Sequence, residues 1–309
     1  MILTVCPNPS IDCTIELDNL CVGKLNRIDN KVETYSGKAL NVAIGVARLK
    51  EKCTATGFMF DKQKHTFEAN LKKEGVDYDF VHQEGSTRVN YKIIDKRSML
   101  TEINDRGEEV LPLKQAELLE KINKLSKKAK IVVISGSLPK GVEPTYYGEM
   151  VKSVMGDAKI IVDTEKANML SAVKYAEVFM AKPNLVELEK FSGMTVRTLK
   201  DMVKASYKYL DKGVQNVLVS MGADGALLIN GQESFYCKSE NVAVNSTVGA
   251  GDSMISAVCV GLKKNVNNLE LLKMAVAAGT AAVTTSGTNL FYYDKYKEIY
   301  DKITCQMVK

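Results

Sequence analysis

The sequence has little of what many hydrolases and metal-dependent proteins need. It contains two histidines, His65 and His82, so a histidine-based metal site or a Ser-His-Asp triad has little material. Its seven cysteines are irregularly spaced and include no Cys-x-x-Cys pair. Because a disulfide framework or a zinc site normally shows paired, regular spacings, we expect reduced thiols.

Long apolar runs and a strong charge of one sign are also missing. No apolar run approaches the roughly 18 residues that a membrane span needs, and the first residues, which meet Pro7, lack a signal-peptide pattern. We therefore expect a cytoplasmic protein with no membrane partner. The formal net charge of +5 suits an anionic small substrate but is too weak and dispersed to indicate nucleic acid.

What the chain does have is an alternation of strand and helix patterns over 309 residues, 45% of them hydrophobic. The apolar β-rich runs lie at 2–5, 54–58, 131–134, 159–162, 178–181, 217–220 and 226–229. The helical patterns lie at 39–50, 114–127, 144–155, 198–210, 252–263 and 269–285. This alternation predicts one α/β domain over residues 1–309, with a doubly wound, mostly parallel sheet flanked by helices.

Two stretches, at about 11–35 and 87–104, do not fit the alternation. Both read as short strands of alternating polarity, and neither is followed by a helix pattern. They predict either a small separate β-sheet that acts as a lid or two irregular surface excursions, and the pattern leaves both open.

The richest segment for chemistry is a polar turn with two glycines that leads into the helix pattern at 252–263. Glycines let a backbone approach a ligand, and the free N–H groups of a helix start bind anions. Asp252 beside such an anion site could accept a proton from a hydroxyl while the amides stabilise a transferring phosphoryl group. The alternative is an ordinary Asp cap after a glycine turn.

Two common nucleotide motifs are excluded. Met254 stands where the third glycine of a dinucleotide fingerprint would be, and no Walker A loop surrounds Gly37 and Lys38.

Residues 247–252, Thr-Val-Gly-Ala-Gly-Asp, resemble the signature of the ribokinase-like (PfkB) carbohydrate kinases. The resemblance implies an α/β domain with a β lid, ATP and Mg²⁺ as cofactors, and Asp252 as the catalytic base. It also implies an anion hole made by Gly249, Ala250 and Gly251, with Thr247 beside the nucleotide. Ser246, in place of the aspartate usual in ribokinase-type members, resembles the phosphosugar branch of the family.

Segments in the first half of the chain also resemble the family, in its order. Residues 8–12, Asn-Pro-Ser-Ile-Asp, imply that Asp12 holds sugar hydroxyls. Residues 36–43 resemble Gly-Gly-Lys-Gly-x-Asn-Val-Ala, although Ser36 and Ala39 replace two of its glycines, and imply that Gly37, Lys38 and Asn41 face the substrate.

The resemblance continues through three further loops. Residues 135–141 match a sugar-phosphate-kinase loop that places Ser137 at the substrate. Residues 182–187 resemble an Asn-x-x-Glu motif, which implies Lys182 and Asn184 at the nucleotide and Glu187 at Mg²⁺, acting through water. Residues 220–226 resemble the nucleotide-side turn, with Ser220, Gly222 and Gly225. Each segment alone could be a cap, a surface lysine or a plain helix start; their common order argues for the family.

The substrate phosphate needs cationic partners. Arg27 and Arg88 lie on the two predicted lid stretches, and together with Lys38 they are the candidates. Residues 87–93 and 101–104 resemble bacterial 1-phosphofructokinases, while the 135–141 loop is shared with tagatose-6-phosphate kinases. We expect transfer from ATP to fructose 1-phosphate, giving fructose 1,6-bisphosphate.

Other readings stay open at this point. They are a tagatose-6-phosphate kinase, a 6-phosphofructokinase, a kinase of an uncharged sugar or nucleoside, and a non-catalytic sugar-phosphate sensor. The family resemblance further implies a possible homodimer through the lid.

Overall fold

Two β-sheets organise the chain in a computed structural model that describes residues 1–97, 99–285, 287 and 289–308. Within that part, the large sheet has the strand order β15-β14-β13-β12-β11-β10-β9-β1-β4-β5, with β6 also paired to β4. Its strands are β1 (Ile2–Cys6), β4 (Cys53–Phe60), β5 (Asp77–Tyr78), β6 (Val81–Gln83), β9 (Ile131–Ser135), β10 (Lys159–Asp163), β11 (Val178–Ala181), β12 (Val214–Ser220), β13 (Ala226–Asn230), β14 (Ser234–Cys237) and β15 (Cys305–Met307).

Pairing is parallel from β5 through β12 and antiparallel from β12 to β15. The predicted doubly wound, mostly parallel sheet is therefore confirmed. All seven predicted strands are present, each within a few residues of its expected bounds.

Helices cover both faces of the large sheet. They are α1 (Lys38–Arg48), α2 (Lys64–Lys73), α3 (Pro112–Ser126), α4 (Thr145–Lys152), α5 (Lys166–Tyr175), α6 (Leu185–Ser192), α7 (Leu199–Leu210), α8 (Ala250–Lys263), α9 (Asn268–Ala282) and α10 (Tyr293–Tyr300). Along β1, Ile2 and Cys6 enter the core under α1, α8 and α9, while Leu3 and Val5 enter the core under α3 and α4. The two cores thus lie on opposite sides of the sheet, as alternating side-chain directions require.

Several elements were not predicted: α2, α5, α6 and α10 as helices, and β5, β6, β14 and β15 as strands. In α2 only Phe67 and Leu71 are buried, so the helical period rests on one i,i+4 pair among polar residues. The short strands β14 and β15, at one end of the sheet, carry as little pattern. These elements depend on tertiary packing more than on local sequence.

A disulfide joins Cys237 and Cys305, which corrects the expectation that all cysteines are reduced thiols. The two residues are 68 positions apart in sequence, yet they stand opposite each other in the β14–β15 pair. Irregular spacing does not reveal such cross-strand neighbours. Cys6, Cys13, Cys21, Cys53 and Cys259 are free thiols.

The two stretches that broke the alternation form a separate sheet, here called the small sheet. Its strands are β2 (Ser10–Leu17), β3 (Asn30–Ser36), β7 (Arg88–Asp95) and β8 (Leu100–Asn104), in the order β3-β2-β7-β8. The pairs β2–β3 and β7–β8 are antiparallel, and β2–β7 is parallel. Of the two interpretations left open, the separate sheet is correct.

Among the described residues, none of the helices has both the length and the apolar character needed to cross a bilayer.

Candidate active site

A cleft of about 810 Å³ opens between the small sheet and the carboxyl ends of the parallel strands. Ligands of open α/β sheets bind at this edge because the loops and helix N-termini that follow the strands converge there. The cleft is lined from the small sheet by side chains such as Asp12 and Arg88, and from the large domain by Lys38, Asp163 and Asp252.

Asp252 lies in the first turn of α8, directly after the glycine turn. Gly249 caps this helix with φ of 79°, a left-handed conformation that favours glycine. The Asp252 side chain is buried, and its Oδ2 accepts a hydrogen bond from Asn41 Nδ2 at 2.8 Å. Burial raises the pKa of the Asp252 carboxyl above its ordinary value, against the opposing influence of Lys38. The carboxylate is thus more basic than a surface aspartate.

Asp163, which was not predicted as a site residue, forms ion pairs with two lysines of the cleft. It ends β10, and its Oδ2 lies 3.2 Å from Lys38 Nζ while its Oδ1 lies 3.6 Å from Lys182 Nζ. Burial tends to raise the pKa of Asp163, but Lys182 and Lys38 outweigh it and hold that pKa below the ordinary value. In turn Asp163 raises the pKa of Lys38. One buried carboxylate therefore orients two lysines that come from different elements.

The ammonium of Lys182 sits against the glycine turn. A Cβ at position 251 would stand 2.9 Å from Lys182 Nζ and 3.2 Å from its Cε. Gly251 therefore leaves room for a cation beside the amides at the start of α8. Positive charge and free amides meet at one point, which is an arrangement suited to a transferring phosphoryl group.

On the small-sheet side of the cleft, Asp12 is surrounded by donors. Its Oδ1 accepts from Ser10 Oγ and from Asn90 Nδ2, each at 3.1 Å, and its Oδ2 pairs with Lys92 Nζ at 2.8 Å. Asn90 and Lys92 were not predicted as site residues. The polar alternation along β7 indicated that one face carries polar groups, but not that they converge on Asp12.

Arg88 lines the cleft and is anchored by the backbone. Its guanidinium donates to the carbonyls of Asn8, Pro9 and Asp105 at 3.2, 3.3 and 2.9 Å. Desolvation lowers the pKa of Arg88. Ser137 also lines the cleft, where its Oγ accepts from Asn8 Nδ2 at 3.3 Å.

Arg27 is the predicted site residue that the structure does not bring to the others. It is exposed in the connection between β2 and β3, outside the cleft lining of this chain. That connection leaves β2 at Leu17, about 20 Å along the strand from Ser10. The prediction that Arg27 joins Lys38 and Arg88 is therefore not supported within one chain. A strand pattern gives no information on which end of the strand faces the cleft.

Gly37 and Asn41, which were predicted to face the substrate, line the cleft at the start of α1. Gly37 has φ of 152°, and a Cβ there would stand 2.7 Å from Cys6 Sγ. Asn41 Oδ1 accepts from Ser36 Oγ at 3.2 Å, so the serine that replaces a family glycine orients the amide that contacts Asp252.

The remaining candidates, which were predicted to bind the nucleotide, also line the cleft. Asn184 and Glu187 form a capping box at the start of α6, in which each side chain accepts from the other residue's backbone N–H. Among the residues that line the cleft here are Lys182, Ser220, Gly222, Gly225 and Thr247. A Cβ at Gly225 would collide with the Cys237 carbonyl. The wall opposite is apolar and comes mainly from α9 and residues 242–248.

The acidic groups fit a magnesium ion held mainly by phosphates. Within the described residues no cluster of three or more His, Cys, Asp or Glu side chains could hold a metal. Mg²⁺ usually keeps several waters and takes few protein carboxylates. Glu187, with one oxygen engaged by the Asn184 N–H at 2.8 Å, fits a role through water.

Comparison with known proteins gives a consistent result. The model of the "pfkB family carbohydrate kinase" matches residues 8–294. A 1-phosphofructokinase of Haloferax volcanii is 32% identical, over 94% of this chain and 93% of that protein. One of Vibrio cholerae is 28% identical, over 94% of this chain and 91% of that protein.

Solved structures resemble the fold over its whole length. Phosphofructokinase-2 from Escherichia coli in complex with potassium has a TM-score of 0.90 at 27% identity, covering 97% of this chain and 98% of that chain. A possible 1-phosphofructokinase from Thermotoga maritima has a TM-score of 0.89 at 28% identity, covering 100% of both chains.

Proposed function

Because the chain belongs to the pfkB family of carbohydrate kinases, we propose that it transfers the γ-phosphoryl group of ATP to fructose 1-phosphate, with Asp252 as the base. Membership makes the protein a phosphotransferase acting on a sugar hydroxyl, with a sugar phosphate and ATP as its small-molecule partners. The observation that carries the mechanism is the buried Asp252 carboxylate, held by Asn41 at the mouth of a glycine turn.

In the proposed reaction Asp252 takes the proton of the free primary hydroxyl of the ketose phosphate. The resulting oxygen attacks the γ-phosphorus in line, and the ADP oxygen leaves. The amides at residues 249–251 and the Lys182 ammonium stabilise charge on the transferring group. Magnesium bound with the phosphates, held through Glu187 and water, would neutralise part of their charge.

Support for a phosphorylated substrate comes from the cations in the cleft. Lys38 and Arg88 both line it, and the Lys38 side chain is 44% exposed, open to a ligand. Fructose 1-phosphate is proposed because the curated relatives named above are 1-phosphofructokinases. A tagatose-6-phosphate kinase and a 6-phosphofructokinase remain the alternatives. A non-catalytic sensor is no longer an alternative, because the chain belongs to a family of kinases.

The small sheet is proposed to act as the lid. It contributes a continuous polar face to the cleft, which includes Asp12, Arg88, Asn90 and Lys92. Closure over the bound sugar would exclude water and so limit hydrolysis of ATP.

The substrate is tested by ADP release in a coupled assay with MgATP. Fructose 1-phosphate should give at least a tenfold higher kcat/KM than fructose 6-phosphate, tagatose 6-phosphate or free fructose. A preference for a 6-phosphate would keep the mechanism and change the substrate. Activity on free fructose alone would overturn the assignment of Lys38 and Arg88 to a substrate phosphate.

A homodimer through the small sheet is the proposed assembly. Exposed apolar side chains concentrate on it and on the β2–β3 connection: Val22, Leu25, Ile28, Val32, Tyr91 and Ile103. An apolar surface of this kind marks an interaction site. We expect the chain, of 34.0 kDa, to sediment as a dimer and the Leu25→Glu/Ile28→Glu variant to sediment as a monomer; a monomeric wild type would contradict the proposal.

A further inference from the structure

A buried ion pair stands on the cleft side of the small sheet. Lys92 Nζ lies 2.8 Å from Asp12 Oδ2, and both side chains are only 7% exposed. Removing two charges from water is unfavourable, and an apolar pair in their place is often as stable. The pair is therefore not needed to stabilise the small sheet. Its position in the cleft lining suggests instead that it contacts the substrate.

The pair belongs to a cluster that is nearly, but not fully, satisfied. An ionised carboxylate offers about four acceptor positions, and Asp12 uses three for Ser10, Asn90 and Lys92. Asn90 Oδ1 is buried without a hydrogen-bond partner among the residues that the structure describes. A lysine ammonium carries three donors, of which the ion pair uses one. The cluster thus presents a few fixed acceptors and donors to the cleft.

The spacing of these groups suits the ring of a sugar. Asp12 and Asn90 are direct register partners in the β2–β7 pair, and Lys92 is two residues further along the same face. Although positions two apart on a strand have Cα atoms about 7 Å apart, the ion pair holds the ends of the Asp12 and Lys92 side chains 2.8 Å from each other, close to the separation of oxygens on adjacent ring carbons. Each hydroxyl both donates and accepts, so an acceptor and a donor fixed side by side favour one configuration of two neighbouring hydroxyls.

We propose that Lys92 is a specificity-determining residue that fixes the Asp12 carboxylate and donates to a ring hydroxyl, so that the Asp12–Lys92 pair reads ring configuration. The inference rests on the proposed sugar-phosphate kinase activity. It separates two tasks in the cleft: Lys38 and Arg88 serve the substrate phosphate, while the ion pair serves the hydroxyls. A site that hydrogen-bonds a hydroxyl discriminates strongly against a substrate that misplaces it, because its own polar groups are left unpaired.

The test compares two substrates that differ at one ring carbon, fructose 1-phosphate and its C4 epimer tagatose 1-phosphate. The wild type should prefer one by at least tenfold in kcat/KM. Lys92→Met should reduce that ratio to within about threefold and raise the KM for the sugar, while the Kd for ATP stays within twofold. Lys96→Met is the matched control, because Lys96 pairs with Asp18 just beyond the ends of β7 and β2 but is 72% exposed; it should keep the wild-type ratio.

Lys92→Met leaves Asp12 buried without its cation, so the variant could fail to fold. Asp12→Asn/Lys92→Met removes both charges, and Lys92→Arg keeps the charge with a different donor geometry. Both should also lose the preference. A folded variant of any of the three that keeps the wild-type ratio, or a wild type without a preference, overturns the proposal.

Failure of the proposed substrate is distinguishable from failure of this inference. If the wild type phosphorylates a 6-phosphate instead, the pair fructose 6-phosphate and tagatose 6-phosphate replaces the first pair. The assignment of fructose 1-phosphate as substrate would then be wrong. The role of Lys92 would still be decided by the ratio of kcat/KM between the two 6-phosphate epimers.

Discussion

Asp252→Asn should lose most of kcat, by a factor of about 10² to 10⁴, the range typical for a removed general base. The Kd for ATP should stay within a few-fold, since the glycine turn and Lys182 are unchanged. Single-turnover ADP release and titration of ATP binding measure the two effects. Asp294→Asn is the matched control, because Asp294 also lies in the first turn of a helix, α10, but is exposed. Near-normal turnover of Asp252→Asn would remove the proposed base.

The same variant should be at least as stable as the wild type at neutral pH. Because burial raises the pKa of Asp252, the folded state binds the proton more tightly than the unfolded state does. That contribution stabilises the fold below the ordinary carboxyl pKa of about 3.8 and is lost as pH rises through the raised folded value. At pH 7 the buried, ionised carboxylate therefore lowers the free energy of unfolding, and the neutral asparagine side chain does not have this cost. A Tm at pH 7 clearly below that of the wild type would contradict this account of the site.

Asp163→Ala should damage both stability and activity. It removes the only carboxylate, among the described residues, that pairs with both Lys38 and Lys182, and it leaves the buried Lys182 ammonium without its ion-pair partner. Breaking a buried pair in this way costs about 3–5 kcal/mol, seen as a lower Tm and urea midpoint. The KM for ATP and for the sugar phosphate should both rise, because Lys38 and Lys182, the two cations proposed to face phosphates, lose their orientation.

The exposed pair of Asp18 and Lys96 provides the control for this prediction. Its side chains are 75% and 72% exposed, and surface pairs contribute little. Asp18→Ala should leave Tm and both KM values unchanged. If Asp163→Ala unfolds like the wild type and keeps both KM values, Asp163 does not organise the lysines.

The central strands and most of the longer helices could be predicted because their patterns are strong and local. Short runs that are apolar on both faces predicted the central strands, and the glycine turn before 252–263 predicted a helix start that holds an aspartate. Elements such as α2 could not be predicted in this way, because they have few apolar residues and depend on packing against the neighbouring sheet.

The candidate site was predictable where one segment carries it and not where distant segments meet. Asp252 and the 36–41 loop could be recognised from their local sequence motifs. Asp163 could not, because its role depends on ion pairs with Lys38 and Lys182, which are distant in sequence. One signal was available: an acidic residue directly after a buried strand at the carboxyl edge of a parallel sheet. Asn184 and Glu187 show the converse, since they form the ordinary helix cap that the sequence also allowed and still line the cleft.

The contact between Asn41 and Asp252 joins residues 211 positions apart, and this has a consequence for synthesis on the ribosome. Helix α1 packs against α8 and is tied to the later chain by Arg48, which donates to the Leu290 carbonyl at 2.8 Å. At about 5–20 residues per second, α1 waits roughly 10 to 40 s for its partner to be made. During that interval the side of α1 that faces α8, with Asn41 opposite Asp252 and Gly45 opposite Ser256, has no native cover, although β1 and β4 already cover another side. The uncovered side makes the nascent chain a natural client for a chaperone.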